Sequence, residues 1–145
     1  MITVSGEVVI KQPASQVFGF LADLSNLPKW QTGAVESHVL TDGPIRLGTE
    51  FEEQLQVMGR KFTALCEIIE FSNGTHIGWW GKSTPQMMEY SGSFSIRPQG
   101  GESVLRYNGT TKLSGFWRLL EPLIKGEMKR ETAKEMDNLR RALDG

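Results

Sequence analysis

A carboxyl set among apolar side chains is the sharpest chemical feature of this chain. In the segment Thr49 to Met58, Glu53 alternates with Phe51, Leu55 and Val57, so a strand there puts all four on one face. Burial disfavours the charged form of a carboxyl and raises its pKa, which suits Glu53 to general acid or base catalysis. Tyr90 and Tyr107, on later strand-like segments, offer hydroxyls to a ligand carbonyl or enolate, and Tyr107 is the expected helper of Glu53 in proton transfer. Each has a plainer reading. Glu53 at an edge escapes to solvent or meets a basic partner, and the tyrosines serve as core aromatics with satisfied hydroxyls. Cys66, expected opposite Glu53, is a poor nucleophile because a neighbouring carboxylate and burial both disfavour the thiolate. His38 and His76 are expected on surface-facing positions, without a partner for catalysis or metal.

Residues suited to binding are more numerous than residues suited to catalysis. Trp30 and Trp79 fit the walls of a pocket for a flat or ring-containing molecule, and Met88, Met128 and Met136 supply adaptable surface. The same residues at the same spacing also make an ordinary core.

Strands and one long helix must hold these side chains. Residues 2 to 11 alternate as a strand with Val4, Val8 and Ile10 on one face, and Pro13 to Ala22 reads as a short helix burying Val17, Phe18 and Leu21. A second short helical turn ends near Trp30. Strands then follow at Ala34 to Thr41, Thr49 to Met58, Lys61 to Phe71, Thr75 to Gly81, Met88 to Arg97 and Ser103 to Leu113. A two-residue loop at Gly59-Arg60 pairs Val57 with Phe62, Leu55 with Ala64, Glu53 with Cys66 and Phe51 with Ile68, all on the apolar side. Gln56 with Thr63 and Glu52 with Glu67 then occupy the polar side. The Asn73-Gly74 turn extends this register to pair Ile68 with Trp79, which points Trp79 inward and Trp80 outward. Met88, Tyr90, Phe94 and Ile96 share one face, as do Leu105, Tyr107 and Thr111.

From Leu119 to Leu143 the pattern changes to that of a helix, with Leu120, Ile124, Met128, Thr132, Met136, Leu139 and Leu143 along one side. Glu121 with Lys125, Glu131 with Lys134 and Asp137 with Arg141 lie on the charged side. This helix must lie across the apolar sheet face, and the sheet must curl around it. Inward Ala64, Gly92 and Gly109 leave space there, so an internal pocket is expected. Pro122 and Gly126 permit two readings, a kink that lets the helix lift or a proline in the helix's first turn.

The totals narrow the function. The 145 residues suit one domain, 1–145, with no disulfide or metal staple: there is a single cysteine and no Cys/His spacing of a zinc site. No cofactor is expected. A net charge of −1 with interspersed signs gives no basic stripe for nucleic acid. The start of the chain shows neither a basic leader nor a membrane-spanning stretch, so a cytoplasmic location is expected.

The opening strand, then Lys11-Gln12-Pro13-Ala14-Ser15-Gln16-Val17-Phe18-Gly19-Phe20-Leu21-Ala22-Asp23 and Leu27-Pro28-Lys29-Trp30, resembles the start of the START/Bet v 1-like (helix-grip) superfamily, of the polyketide cyclase/dehydrase type. Leu47-Gly48-Thr49, Glu67-Ile68-Ile69-Glu70-Phe71 and the junction from Leu113-Ser114-Gly115 to Pro122 continue the resemblance over the whole chain. It implies an α+β fold in which about seven antiparallel strands grip a long C-terminal helix, with two short helices after the first strand and a ligand cavity between. The superfamily includes lipid carriers, hormone receptors and polyketide cyclases, so fold alone does not decide activity.

The expected function is therefore binding of a hydrophobic or aromatic small molecule of lipid, polyketide or isoprenoid type. Its expected wall comprises Trp30, Phe51, Leu55, Val57, Phe62, Trp79, Met88, Tyr90, Phe94, Tyr107, Thr111, Ile124, Met128, Thr132 and Met136. The alternatives are a cyclase or dehydratase using Glu53 with Tyr107, and an interaction module presenting Trp80. A homodimer is compatible with either.

Overall fold

A computed structural model describes residues 1–32, 34–57 and 59–144. Seven strands form one antiparallel sheet: β1 (Ile2–Ile10), β2 (Ala34–Val39), β3 (Glu50–Val57), β4 (Arg60–Ser72), β5 (His76–Thr84), β6 (Met88–Gln99) and β7 (Glu102–Leu113). Their spatial order is β1-β7-β6-β5-β4-β3-β2, so only the β1 to β7 neighbourhood joins distant parts of the chain. Helices α1 (Ala14–Ala22) and α2 (Leu27–Trp30) fill the long connection from β1 to β2, and α3 (Glu121–Asp144) closes the chain. This is the α+β helix-grip arrangement expected from the sequence.

The short helices follow from local signals. Pro13 is the extended residue before α1 rather than its first turn, and α1 buries Val17, Phe18 and Leu21. Asp23 caps the following 3-10 turn by accepting from the Ser25 amide at 3.1 Å, and Leu27 and Trp30 are then turned into the interior. At the C-terminal end a 3-10 segment, Gly115–Leu120, precedes α3, and Pro122 lies in the first turn of a helix that continues through Gly126. A first-turn proline costs no helical hydrogen bond, so no break occurs.

Two hairpins correct the expected register while keeping its faces. Between β3 and β4, Val57 pairs with Arg60, Leu55 with Phe62, Glu53 with Ala64 and Phe51 with Cys66. Gly59, with φ +78°, therefore ends the loop instead of opening it. The displacement is two residues, and because strand side chains alternate with period two, Glu53 stays inward. On the outer face Gln56 meets Lys61 and Glu52 meets Leu65, not Thr63 and Glu67. Between β4 and β5, Ser72 pairs with His76, a loop one residue longer than Asn73-Gly74 alone; an irregularity between Ile68 and Glu70 offsets it, and Ile68 faces Trp79 as expected.

The long helix does not lie centrally over the sheet. Its backbone approaches β1 more closely than any other strand. Gly6 permits this: a Cβ there would stand 3.1 Å from Cγ of Met136. Toward the C-terminal half of α3, Met136 and Leu139 join Trp30, Phe51, Phe94 and Leu105 in the larger apolar cluster. Toward its N-terminal half, Ile124 joins Ile2, Phe62, Met87, Met88 and Leu113 in a smaller one. The gap between these clusters is where the interior stays open.

Candidate functional site

Glu53 is the deepest polar group facing that gap. Its side chain comes from the middle of β3, and the residue is 2% exposed. The Tyr90 hydroxyl, from β6, donates to Oε2 at 3.0 Å, and Sγ of Cys66, from β4, lies 3.2 Å from the same hydroxyl. With Tyr90 donating to the carboxyl, the Cys66 thiol donates to Tyr90. Burial pushes the Glu53 carboxyl up to about 7, and the Tyr90 hydrogen bond opposes part of the rise. Burial and the nearby Glu53 charge push the Cys66 thiol up to about 12. Tyr90 and Tyr107 are also held well above the ordinary phenol range, chiefly by burial, so both stay neutral donors. The unit can take or give one proton, and that proton resides on Glu53.

A cavity of about 140 Å³ opens beside this carboxyl. Val4, Leu55, Met88, Ile124 and Met128 form its apolar wall, and Tyr90, Tyr107, Thr111 and Thr132 supply hydroxyls. Gln31, Gln56, Glu127, Glu131 and Glu135 complete the lining. Glu135 accepts a hydrogen bond from the Thr32 hydroxyl at 3.1 Å, and burial pushes its carboxyl up to about 7. Glu131 is raised too, first by burial and then by Glu127 one turn earlier. A mostly apolar concavity with a few converging polar groups is the usual composition of a small-molecule site.

Matched against protein families, residues 1–144 fit the one described as polyketide cyclase/dehydrase and lipid transport. The chain belongs to this family. Solved structures with the same fold include a protein from Thermus thermophilus (20% identity, 97% of this chain and 96% of that one, TM-score 0.80). A START superfamily protein from Mycobacterium smegmatis matches at 15% identity over 97% and 98% of the two chains, TM-score 0.76. The di-domain ARO/CYC protein BexL of the BE-7585A biosynthetic pathway matches at 17% identity over 97% of this chain and 46% of that one, TM-score 0.74. Among curated proteins none matches significantly.

Within this member of the family, the residues proposed from sequence separate into two groups. Leu55, Met88, Tyr90, Tyr107, Thr111, Ile124, Met128 and Thr132 line the cavity with Glu53. Trp30, Phe51, Trp79 and Phe94 do not; they surround a residual void of only about 20 Å³ on the far side of Glu53. Phe94 packs edge-on against Trp30 at 5.4 Å between ring centroids and lies 5.5 Å from Trp79 and 5.2 Å from Tyr107. Phe62 is buried under Trp117 at 5.9 Å, and Met136 sits over Gly6. The side chain of Val57 lies outside the described part of the structure.

The inward glycines prove to be seats for rings rather than sources of empty space. A Cβ on Gly92 would stand 2.7 Å from the Trp79 indole, and one on Gly81 would stand 2.7 Å from the Tyr90 ring. A Cβ on Gly109 would collide with the Tyr107 hydroxyl. Large rings opposite or near glycines settle onto the sheet surface, so the glycines deepen aromatic packing instead of leaving a hole.

Sequence reasoning missed Gln31 and the stripe Glu127, Glu131 and Glu135. The i, i+4, i+8 spacing was available as a signal, but Glu131 reads equally well as the partner of Lys134 on a solvated face. Both histidines have acidic neighbours. His38 Nε2 lies 2.8 Å from Glu36, while His76 lies 3.0 Å from Glu70 and 2.8 Å from the Ser95 hydroxyl. These contacts sit away from the cavity. Among the described residues, no group of three His, Cys, Asp or Glu side chains is placed to hold a metal ion, and no helix is long and apolar enough to cross a membrane.

Proposed function

We propose that this protein binds a small hydrophobic, ring-containing molecule between the sheet and α3. The observation that carries the reading is the cavity itself, with Leu55, Met88, Ile124 and Met128 forming an apolar wall around a buried, hydrogen-bonded carboxyl. A dry cavity of roughly 150 Å³ accepts a benzene-sized guest. The volume of about 140 Å³ therefore suits one ring or one branched isoprenoid unit, the rest of the ligand extending past Gln56 and Glu131. Apolar burial supplies most of the affinity, and Glu53, Tyr90, Tyr107 and Thr111 set orientation. Native mass spectrometry of protein purified from its own source tests this: a small molecule should co-purify, and Met128→Trp should abolish its retention. Failure to retain or take up any molecule from a panel of lipids, isoprenoids and aromatics would sink the proposal.

A second reading has an observation of its own. With a carboxyl at about 7, Glu53 is poised to exchange a proton near neutrality, and Tyr90 holds it in place. As a cyclase or dehydratase the protein would use Glu53 to remove or return a proton on a bound polyketide-like substrate. The ARO/CYC neighbour agrees with that reading at the level of fold. Tyr90, not Tyr107, is the partner within hydrogen-bonding distance of Glu53. Glu53→Gln should then preserve ligand binding and abolish turnover; retained turnover would dismiss the enzyme. The interaction reading has less behind it, because outward Trp80 pairs opposite Glu67 and Ser91 and donates to Glu89 at 2.9 Å.

A further inference from the structure

We infer that the ligand carries a cationic, amine-type group, seated at the cavity mouth by Glu127, Glu131 and Glu135 above the buried carboxyl of Glu53. This rests on the binding reading and adds the ligand's charge to it. Every charged residue lining the cavity is a glutamate, with no lysine, arginine or histidine among the described lining residues. The bias is local, since the whole chain holds 16 basic and 17 acidic residues. Among the described residues none of the three helix glutamates forms an ion pair. Arg130 and Lys134 partly offset the charge of Glu131, yet neither lines the cavity.

The second line of argument is hydrogen bonding. Glu53 is 98% buried by its 2% exposure, and the Tyr90 bond occupies Oε2. Its Oε1 has no hydrogen-bond donor among the described residues, and the carboxyl lines the cavity. The Oε1 of Gln31, another lining residue, is buried and has no partner among the described residues. Once Glu53 is ionised, the cavity offers an incoming donor both its Oε1 and the Gln31 Oε1. An ammonium brings three N–H donors and a charge opposite to the wall, whereas a carboxylate brings neither. A bare metal ion is the wrong occupant, because these oxygens are not grouped closely enough to coordinate one.

Ionisation gives an independent readout. The groups facing the seat are Glu53 from β3, Cys66 and Tyr90 behind it, Tyr107 from β7, and the three glutamates of α3. A cation stabilises the ionised carboxylates, so binding should release protons near pH 7 and tighten as pH rises.

The test compares 4-phenylbutylamine, 4-phenylbutanol and 4-phenylbutyrate, which share one apolar body, by titration calorimetry at pH 8 and low salt. The amine should bind about tenfold tighter than the alcohol, with the carboxylate weakest. In Glu127→Gln/Glu131→Gln/Glu135→Gln protein the amine's advantage should fall to about threefold or less, and 0.5 M salt should erode it in the unaltered protein. Circular dichroism melts check the fold, and Glu131→Gln alone, at a half-exposed position, serves if the triple variant unfolds. Equal binding of amine and alcohol, preference for the carboxylate, or an advantage untouched by the substitutions overturns the cation while leaving the binding site standing. If none of the three probes binds, the cation seat falls, and the binding reading is judged by the wider panel of lipids, isoprenoids and aromatics.

Discussion

The two ends of the interior are built from similar residue types and have opposite outcomes. On the side of Glu53 toward α1 and α2, Trp30, Phe51, Trp79 and Phe94 close around about 20 Å³. On the side toward the N-terminal half of α3, Leu55, Met88, Ile124 and Met128 stand around about 140 Å³. Aromatic content explains the difference better than polarity. At one end the Trp79 ring, seated on Gly92, packs with Trp30, Phe51 and Phe94, whereas at the other slender aliphatic and thioether chains span only part of the space. The helix contributes as well: by settling onto β1 at Gly6 it leaves the opposite side of its apolar stripe facing a gap. Glu53 lines both spaces, so its carboxyl marks the boundary between core and cavity.

The strongest challenge to this contrast is Phe94→Ala. Removing a ring that touches Trp30, Trp79 and Tyr107 should cost about 3–5 kcal/mol in urea unfolding. A cost under about 1 kcal/mol would mean that the filled end is loosely packed after all.

Glu53→Gln probes the boundary. The folded-state pKa of Glu53, about 7, lies above the ordinary 4.5, so the folded protein holds the proton more tightly than the unfolded chain. The group therefore favours folding most below pH 4.5, and its contribution declines as pH rises from 4.5 to 7. The decline amounts to roughly 3 kcal/mol at most. Glutamine at this position should raise stability at pH 8 relative to wild type and flatten the slope between pH 5 and 8, with Glu135 supplying what slope remains. An unchanged slope in denaturation series at several pH values would show that Glu53 titrates normally.

Gly92→Ala tests the ring seat. Its new methyl group meets the Trp79 ring at 2.7 Å, and displacing that ring should cost about 1–3 kcal/mol. The smallest stability effect belongs to the open end. Met128→Trp should change unfolding free energy by less than about 1.5 kcal/mol, since space exists to receive the larger side chain. Ligand uptake should nevertheless fall by an order of magnitude or more. A large stability loss from Met128→Trp would erase the distinction between the two ends.

Much of the fold was legible because each signal was local. Alternation in Phe51 to Leu55 and the 3.6-residue period of Ile124, Thr132, Met136 and Leu139 correspond to faces that are buried in the structure. Hairpin register was legible only to within two residues, since Gly59 can stand first or last in a loop, and the face of Glu53 survived only because the error was even. The candidate site was half legible. Glu53 could be placed inward, but Trp79 and Phe94 carry the same periodic signal whether they wall a cavity or fill one. Glu131 looked solvated because Lys134 offered a local partner, while the β6 and β7 side chains that it faces are remote in sequence.

By itself the sequence determined the strand and helix faces and the inward carboxyl, because side-chain direction follows from backbone period and needs no knowledge of distant neighbours, while the helix-grip fold came from the resemblance of its motifs, Leu27-Pro28-Lys29-Trp30 among them, to a known superfamily. Only the tertiary structure decided where the interior is solid and where it is hollow. That outcome depends on how closely α3 approaches β1 and on which rings reach which glycines, quantities set by contacts between segments far apart in the chain.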